Sequence, residues 1–66
     1  MGNKLRDMRE KKGLTISKLA RMSGVSRLTI YKLETNQSYM AASRTLVKLA
    51  NAMHVPVDEI FFTESA

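Results

Sequence analysis

Five side chains in one short stretch, Arg27, Leu28, Tyr31, Lys32 and Thr35, have types and spacing that suit binding chemistry. In a helix advancing about 100° per residue, Ile30 and Leu33 form one stripe, and Leu28, Lys32 and Thr35 fall on the opposite face. Tyr31 lies beside that face, and Arg27, in the first turn, reaches forward. Cationic, hydroxyl and apolar groups placed side by side suit a polyanion with apolar features. The charge balance points the same way. The chain carries 11 Lys and Arg against 6 Asp and Glu, a net of +5. The excess sits in residues 1–33, with nine cations and two acids, whereas residues 34–66 are net negative. One half is an electrostatic footprint for a polyanion and the other is not.

Catalytic chemistry has little to work with. The chain has one His, no Cys and no carboxylates paired for acid–base work. His54 follows an apolar helical stretch and reads as a cap or surface residue. Gly2, Gly13 and Gly24 punctuate helices and build no phosphate loop. An enzyme, a metal site, a cofactor and a small-molecule pocket are therefore not expected. Neither is a membrane partner, because no apolar run approaches the roughly 18 residues of a span. The basic start, Met1 to Arg6, has no apolar stretch behind it and does not read as a signal peptide. The absence of Cys fits a reducing compartment, so a cytoplasmic location is expected.

The elements that must carry this face are all helical. Apolar spacing and punctuation predict helices over about 3–12, 16–23, 27–35, 43–53 and 57–61 in a single domain spanning 1–66. Asn3, Thr15 and Ser26 are placed as N-caps. Gly13 and Gly24 stop the first and second helices, and Asn36 is expected as a left-handed C-cap of the third. Leu46, Leu49, Ala50 and Met53 keep helical spacing in the fourth. Pro56 blocks its continuation, and Asp58 and Glu59 suit the first turn of a short fifth. No alternating run bounded by turn residues reads as a strand.

Residues 16–35 form the central unit: a helix, a turn around Gly24, and a second helix. Ala20 is small where the second helix crosses, Gly24 accepts a left-handed turn, and Val25 tucks beneath it. Ile30 and Leu33 lock the second helix to the rest. Small–Gly–apolar at these offsets on a basic helical chain is the pattern of a helix-turn-helix, whose second helix enters the DNA major groove. The sequence then resembles the Cro/lambda-repressor type of regulator, the XRE family. The resemblance runs through residues 5–15, Lys18-Leu19-Ala20, Gly24-Val25-Ser26-Arg27, Thr29-Ile30 and Leu33-Glu34. It continues through residues 46–50 and 55–61.

The resemblance implies a five-helix, lambda-repressor-like DNA-binding domain and a transcriptional regulator. A repressor is expected, binding double-stranded DNA as a homodimer on a two-fold operator. It places the base readers on Arg27, Leu28 and Lys32, with Tyr31 alongside. It places backbone contacts on Ser26, on the loop including Asn36, Gln37, Ser38 and Tyr39, and on the start of the second helix. Thr15, Lys18 and Arg21 belong to that last region. It also pairs Arg9 with Glu34. The chemistry of the residues agrees: arginine pairs in bidentate fashion with guanine O6 and N7, Lys32 can do the same less specifically or hold a phosphate, and leucine suits a thymine methyl. The chain departs from the family in carrying Ile16 where Gln is common, and Asn36 and His54 where Gly is common.

Val57, Ile60, Phe61 and Phe62 offer more apolar bulk than one short helix can bury here. Phe61 is expected inside, and Val57, Ile60 and Phe62 at a dimer interface. The competing expectation is a protein-interaction module on the same fold, such as an antirepressor, an adaptor or an autoregulating antitoxin.

Overall fold

Side-chain caps and left-handed glycines divide the first three helices where the sequence places its punctuation. The computed structural model describes residues 3–36 and 39–61. Four α-helices run in order: α1 (Leu5–Lys11), α2 (Ile16–Ser23), α3 (Arg27–Thr35) and α4 (Ser43–Ala52). A single 3-10 turn, Val57–Glu59, follows, and there is no strand among the described residues.

Asn3 opens α1 by accepting from the Leu5 N–H at 2.9 Å. Its amide also donates to the Leu33 carbonyl at 3.0 Å, so one side chain ties the start of α1 to the end of α3. Gly13, at φ 71°, turns the chain after α1. Thr15 caps α2, its Oγ1 accepting from the Lys18 N–H at 3.0 Å. Gly24 closes α2 at φ 76° and donates its N–H to the Ala20 carbonyl at 2.9 Å. Ser23 binds the turn from within: its hydroxyl donates to the Leu19 carbonyl and accepts from the Val25 N–H. Ser26 then caps α3 by accepting from the Thr29 N–H at 3.1 Å.

The buried faces meet in one core. Leu5, Leu19, Ile30, Leu49, Met53 and Ile60 are fully buried, and Val25, Leu33, Ala50 and Phe61 nearly so. The core joins α1 to α3, α2 to both α3 and α4, and α4 to the 3-10 turn. The Lys4 N–H donates to the Ile60 carbonyl at 2.9 Å, which fastens the two ends of the described chain together.

Three expectations need correction. The fifth segment is a three-residue 3-10 turn and not a helix over 57–61. Pro56 sets its start, and Ile60 and Phe61, which follow it, are buried in the core. A segment this short gains too few i→i−4 bonds to offset the cost of nucleating an α-helix. Ile60 is also withdrawn from any dimer surface, because the chain's own core covers it completely. Asn36 is extended, at φ −119° and ψ 101°, and not left-handed. Among the described residues, the left-handed residue that is not a glycine is His54, at φ 60° just after α4. Of the other expected interface residues, Val57 is half-buried against the core. Phe62, Gln37 and Ser38 lie outside the described residues.

Candidate nucleic-acid interface

The two faces of α3 are opposites. Ile30 is fully buried and Leu33 is 5% exposed, while Leu28 is 61% and Tyr31 56% exposed. Arg27 and Lys32 are exposed with them. Removing Leu28 or Tyr31 from water on a partner would be favourable, yet this chain leaves both outside its core. The outward face therefore offers two cations, a phenol and an isobutyl group on one rigid cylinder.

Both cations have neighbours in the chain. Arg27 Nη1 lies 3.4 Å from Ser17 Oγ on α2, a long, exposed hydrogen bond that leads the guanidinium toward the start of α2. Lys32 Nζ lies 5.5 Å from the centre of the Tyr39 ring. Thr35 folds back onto its own helix, donating its hydroxyl to the Tyr31 carbonyl at 2.8 Å. Tyr31 keeps an exposed ring.

The residues expected along the DNA backbone divide between capping and open surface. Thr15 and Ser26 use their oxygens for capping; Ser26 also donates its hydroxyl to Thr29 Oγ1 at 2.9 Å. Lys18 and Arg21 are exposed on α2, and Asn36 is exposed at the end of α3. Tyr39 is half-buried, packed against the core and beneath Lys32. Ile16, in place of a hydrophilic residue, is also partly buried against the core.

Arg9 and Glu34 stand behind this surface. Arg9 Nε donates to Glu34 Oε2 at 2.7 Å and Nη2 to Oε1 at 3.1 Å, a two-pronged pairing. Nη1 donates to the Leu14 carbonyl at 2.7 Å. The side chains are 11% and 3% exposed, so the guanidinium is turned inward and serves the fold. Its hydrogen bond to Glu34 outweighs desolvation and holds the Arg9 pKa above its ordinary value. No buried side-chain nitrogen or oxygen among the described residues lacks a partner.

A family model described as helix-turn-helix matches residues 5–60. The chain belongs to the helix-turn-helix family, of the XRE type. In helix-turn-helix terms, α2 is the first helix of the motif and α3 the second. The chain is 34% identical over 61 residues to the HTH-type transcriptional repressor RghR of Bacillus subtilis. That match covers 92% of this chain and 45% of the relative. It is 36% identical over 59 residues to the HTH-type transcriptional regulator RghRB of the same organism, covering 89% of this chain and 42% of the relative. A putative HTH-type transcriptional regulatory protein of Methanococcus maripaludis is 39% identical over 56 residues, 85% of this chain and 17% of the relative. The chain thus spans less than half the length of each of these relatives.

Sequence reasoning misses Ser17 as a partner of Arg27 and Asn3 as a tether between helices. Ser17 has one signal, a polar side chain in the first turn of α2 next to an apolar Ile16. The bond from Asn3 to Leu33 spans thirty residues and leaves no local mark. No group of His, Cys, Asp or Glu suited to a metal ion occurs among the described residues. None of the helices there is long and apolar enough to cross a membrane.

Proposed function

We propose that this chain is a sequence-specific duplex-DNA-binding transcriptional regulator acting in the cytoplasm. In this reading α3 lies in the major groove and the regulator represses by occluding a promoter. One observation carries it: the outward face of α3 holds Arg27 and Lys32 beside the 61% exposed Leu28 and the 56% exposed Tyr31. Family membership and relatives named as transcriptional regulators support the reading. Arg27 pairs with a guanine edge and Leu28 meets a thymine methyl. Tyr31 offers its hydroxyl or ring at the groove wall. Lys18, Arg21 and the capped start of α2 approach phosphates.

The proposed regulator works as a homodimer on a two-fold operator, with two α3 helices about 34 Å apart. Phe62 and the half-buried Val57 supply apolar surface for that contact, without Ile60.

Selection of bound sites from a random duplex library tests the proposal. A palindromic consensus with half-sites about one helical turn apart is the expected result. A chain that retains no duplex even at about 50 mM salt, where phosphate contacts are strongest, would be an interaction module instead.

A further inference from the structure

We infer that Tyr39 is a positioning residue that holds Lys32 for a DNA phosphate and removes it from the base-reading set. The inference rests on the duplex-DNA reading above and deepens it. Lys32 and Tyr39 lie on either side of the end of α3, and the backbone brings them together. The Asn36 N–H donates to the Lys32 carbonyl at 2.9 Å, and the Tyr39 N–H donates to the Asn36 carbonyl at 3.0 Å. The Lys32 ammonium lies 5.5 Å from the centre of the Tyr39 ring. Tyr39 is half-buried and packed against the core, so the ring has a fixed seat, whereas Lys32 is exposed and otherwise held by its stem alone.

An ammonium over a phenol face is attracted by the ring quadrupole. A free lysine side chain samples many rotamers, so a fixed ring that narrows its choices lowers the cost of placing the charge. The interaction draws Nζ toward the segment after α3. Arg27, by contrast, is drawn toward α2 through Ser17. The two cations of the outward face are thus pulled apart, one toward each flank. Lysine is a point charge that suits a phosphate without demanding a planar edge. The ring leaves the far side of the ammonium open to an anion, and a phosphate bound there would touch Lys32 on one side while Tyr39 supports the other.

The test compares Lys32→Ala, Tyr39→Leu and Tyr39→Phe in the full chain on the site selected by the parent protein. Lys32→Ala is expected to leave the selected consensus unchanged and to lower the slope of log affinity against log salt by about 0.9, one phosphate's worth. Tyr39→Leu is expected to weaken specific and random duplex alike, by about 2–5-fold, with most of that affinity recovered in Tyr39→Phe. In the free protein, the Lys32 ε-methylene protons are expected to shift upfield under the ring, in the parent and in Tyr39→Phe but not in Tyr39→Leu. A base preference altered by Lys32→Ala would overturn the inference while leaving the DNA reading intact. So would a Tyr39→Phe protein as weak as Tyr39→Leu, or the absence of the ring shift in the parent. A parent chain that binds no duplex would remove both.

Discussion

Arg9 and Glu34 join α1 to the last turn of α3 through two parallel hydrogen bonds, Nε to Oε2 at 2.7 Å and Nη2 to Oε1 at 3.1 Å. Asn3 grips the neighbouring Leu33 carbonyl at 3.0 Å. The end of α3 is therefore clamped from behind by polar bonds, and its middle is anchored by Ile30 in the core. That arrangement leaves the outward face rigid and unobstructed.

Removing one partner strands the other charge in a poorly solvated site. Arg9→Ala or Glu34→Ala is expected to cost about 3–5 kcal/mol, a large share of what so small a domain possesses. Urea titration followed by circular dichroism reads the loss. The pair's contribution from the Arg9 side holds through neutral pH. A basic group whose pKa is raised on folding stabilises fully below its unfolded value and loses that contribution as pH climbs through the folded value. For Arg9 that window lies far on the alkaline side.

Gly24 carries the turn at φ 76°, and a Cβ there would meet nothing within 4 Å. The cost of Gly24→Ala is thus backbone strain and not a clash, about 1–2 kcal/mol. Thermal melts should show that loss. DNA affinity of the folded fraction should remain near the parent's, because the side chain added points into open space.

The turn is legible in the sequence because its determinants are local. Thr15, Gly24 and Ser26 each act within four residues of themselves, so residue type and offset suffice to place them. The apolar stripe of Ile30 and Leu33 likewise defines the outward face by geometry alone. What escapes depends on distant partners. Ile60 reads as surplus apolar bulk because the sequence does not display the core that buries it or the Lys4 N–H that binds its carbonyl. Asn36 reads as a left-handed cap because asparagine tolerates that form, yet it is extended where the chain turns toward Tyr39. The approach of Lys32 to the Tyr39 ring likewise escapes, because helical spacing fixes the direction of a Cα–Cβ bond and says nothing of a ring beyond the helix end.

Lys18 and Arg21 are exposed on α2, and in the proposed complex they would approach phosphates. Lys18→Ala and Arg21→Ala should each weaken binding equally on specific and random duplex. For each phosphate that is no longer neutralised, the salt slope should fall by about 0.9. Fluorescence anisotropy across a salt series on both duplexes measures the slopes.

The two ends of the C-terminal apolar segment should behave differently. Ile60→Asp places a charge in the centre of the core and should unfold the chain. Phe62→Asp should leave a folded monomer, as read by sedimentation and circular dichroism together. A dimer that survives Phe62→Asp at micromolar concentration would place the contact elsewhere.

The most direct test of the account is the affinity of Arg27→Ala for the selected site, with the far-UV spectrum recorded on the same sample. The Arg27 side chain is exposed and, among the described residues, bonded through a single 3.4 Å contact, so the fold should be unchanged. The account predicts a drop in specific affinity worth about 1–3 kcal/mol, accompanied by relaxed preference at one base pair. Full affinity and an unaltered consensus in a folded Arg27→Ala protein would contradict the assignment of α3 as the reading helix.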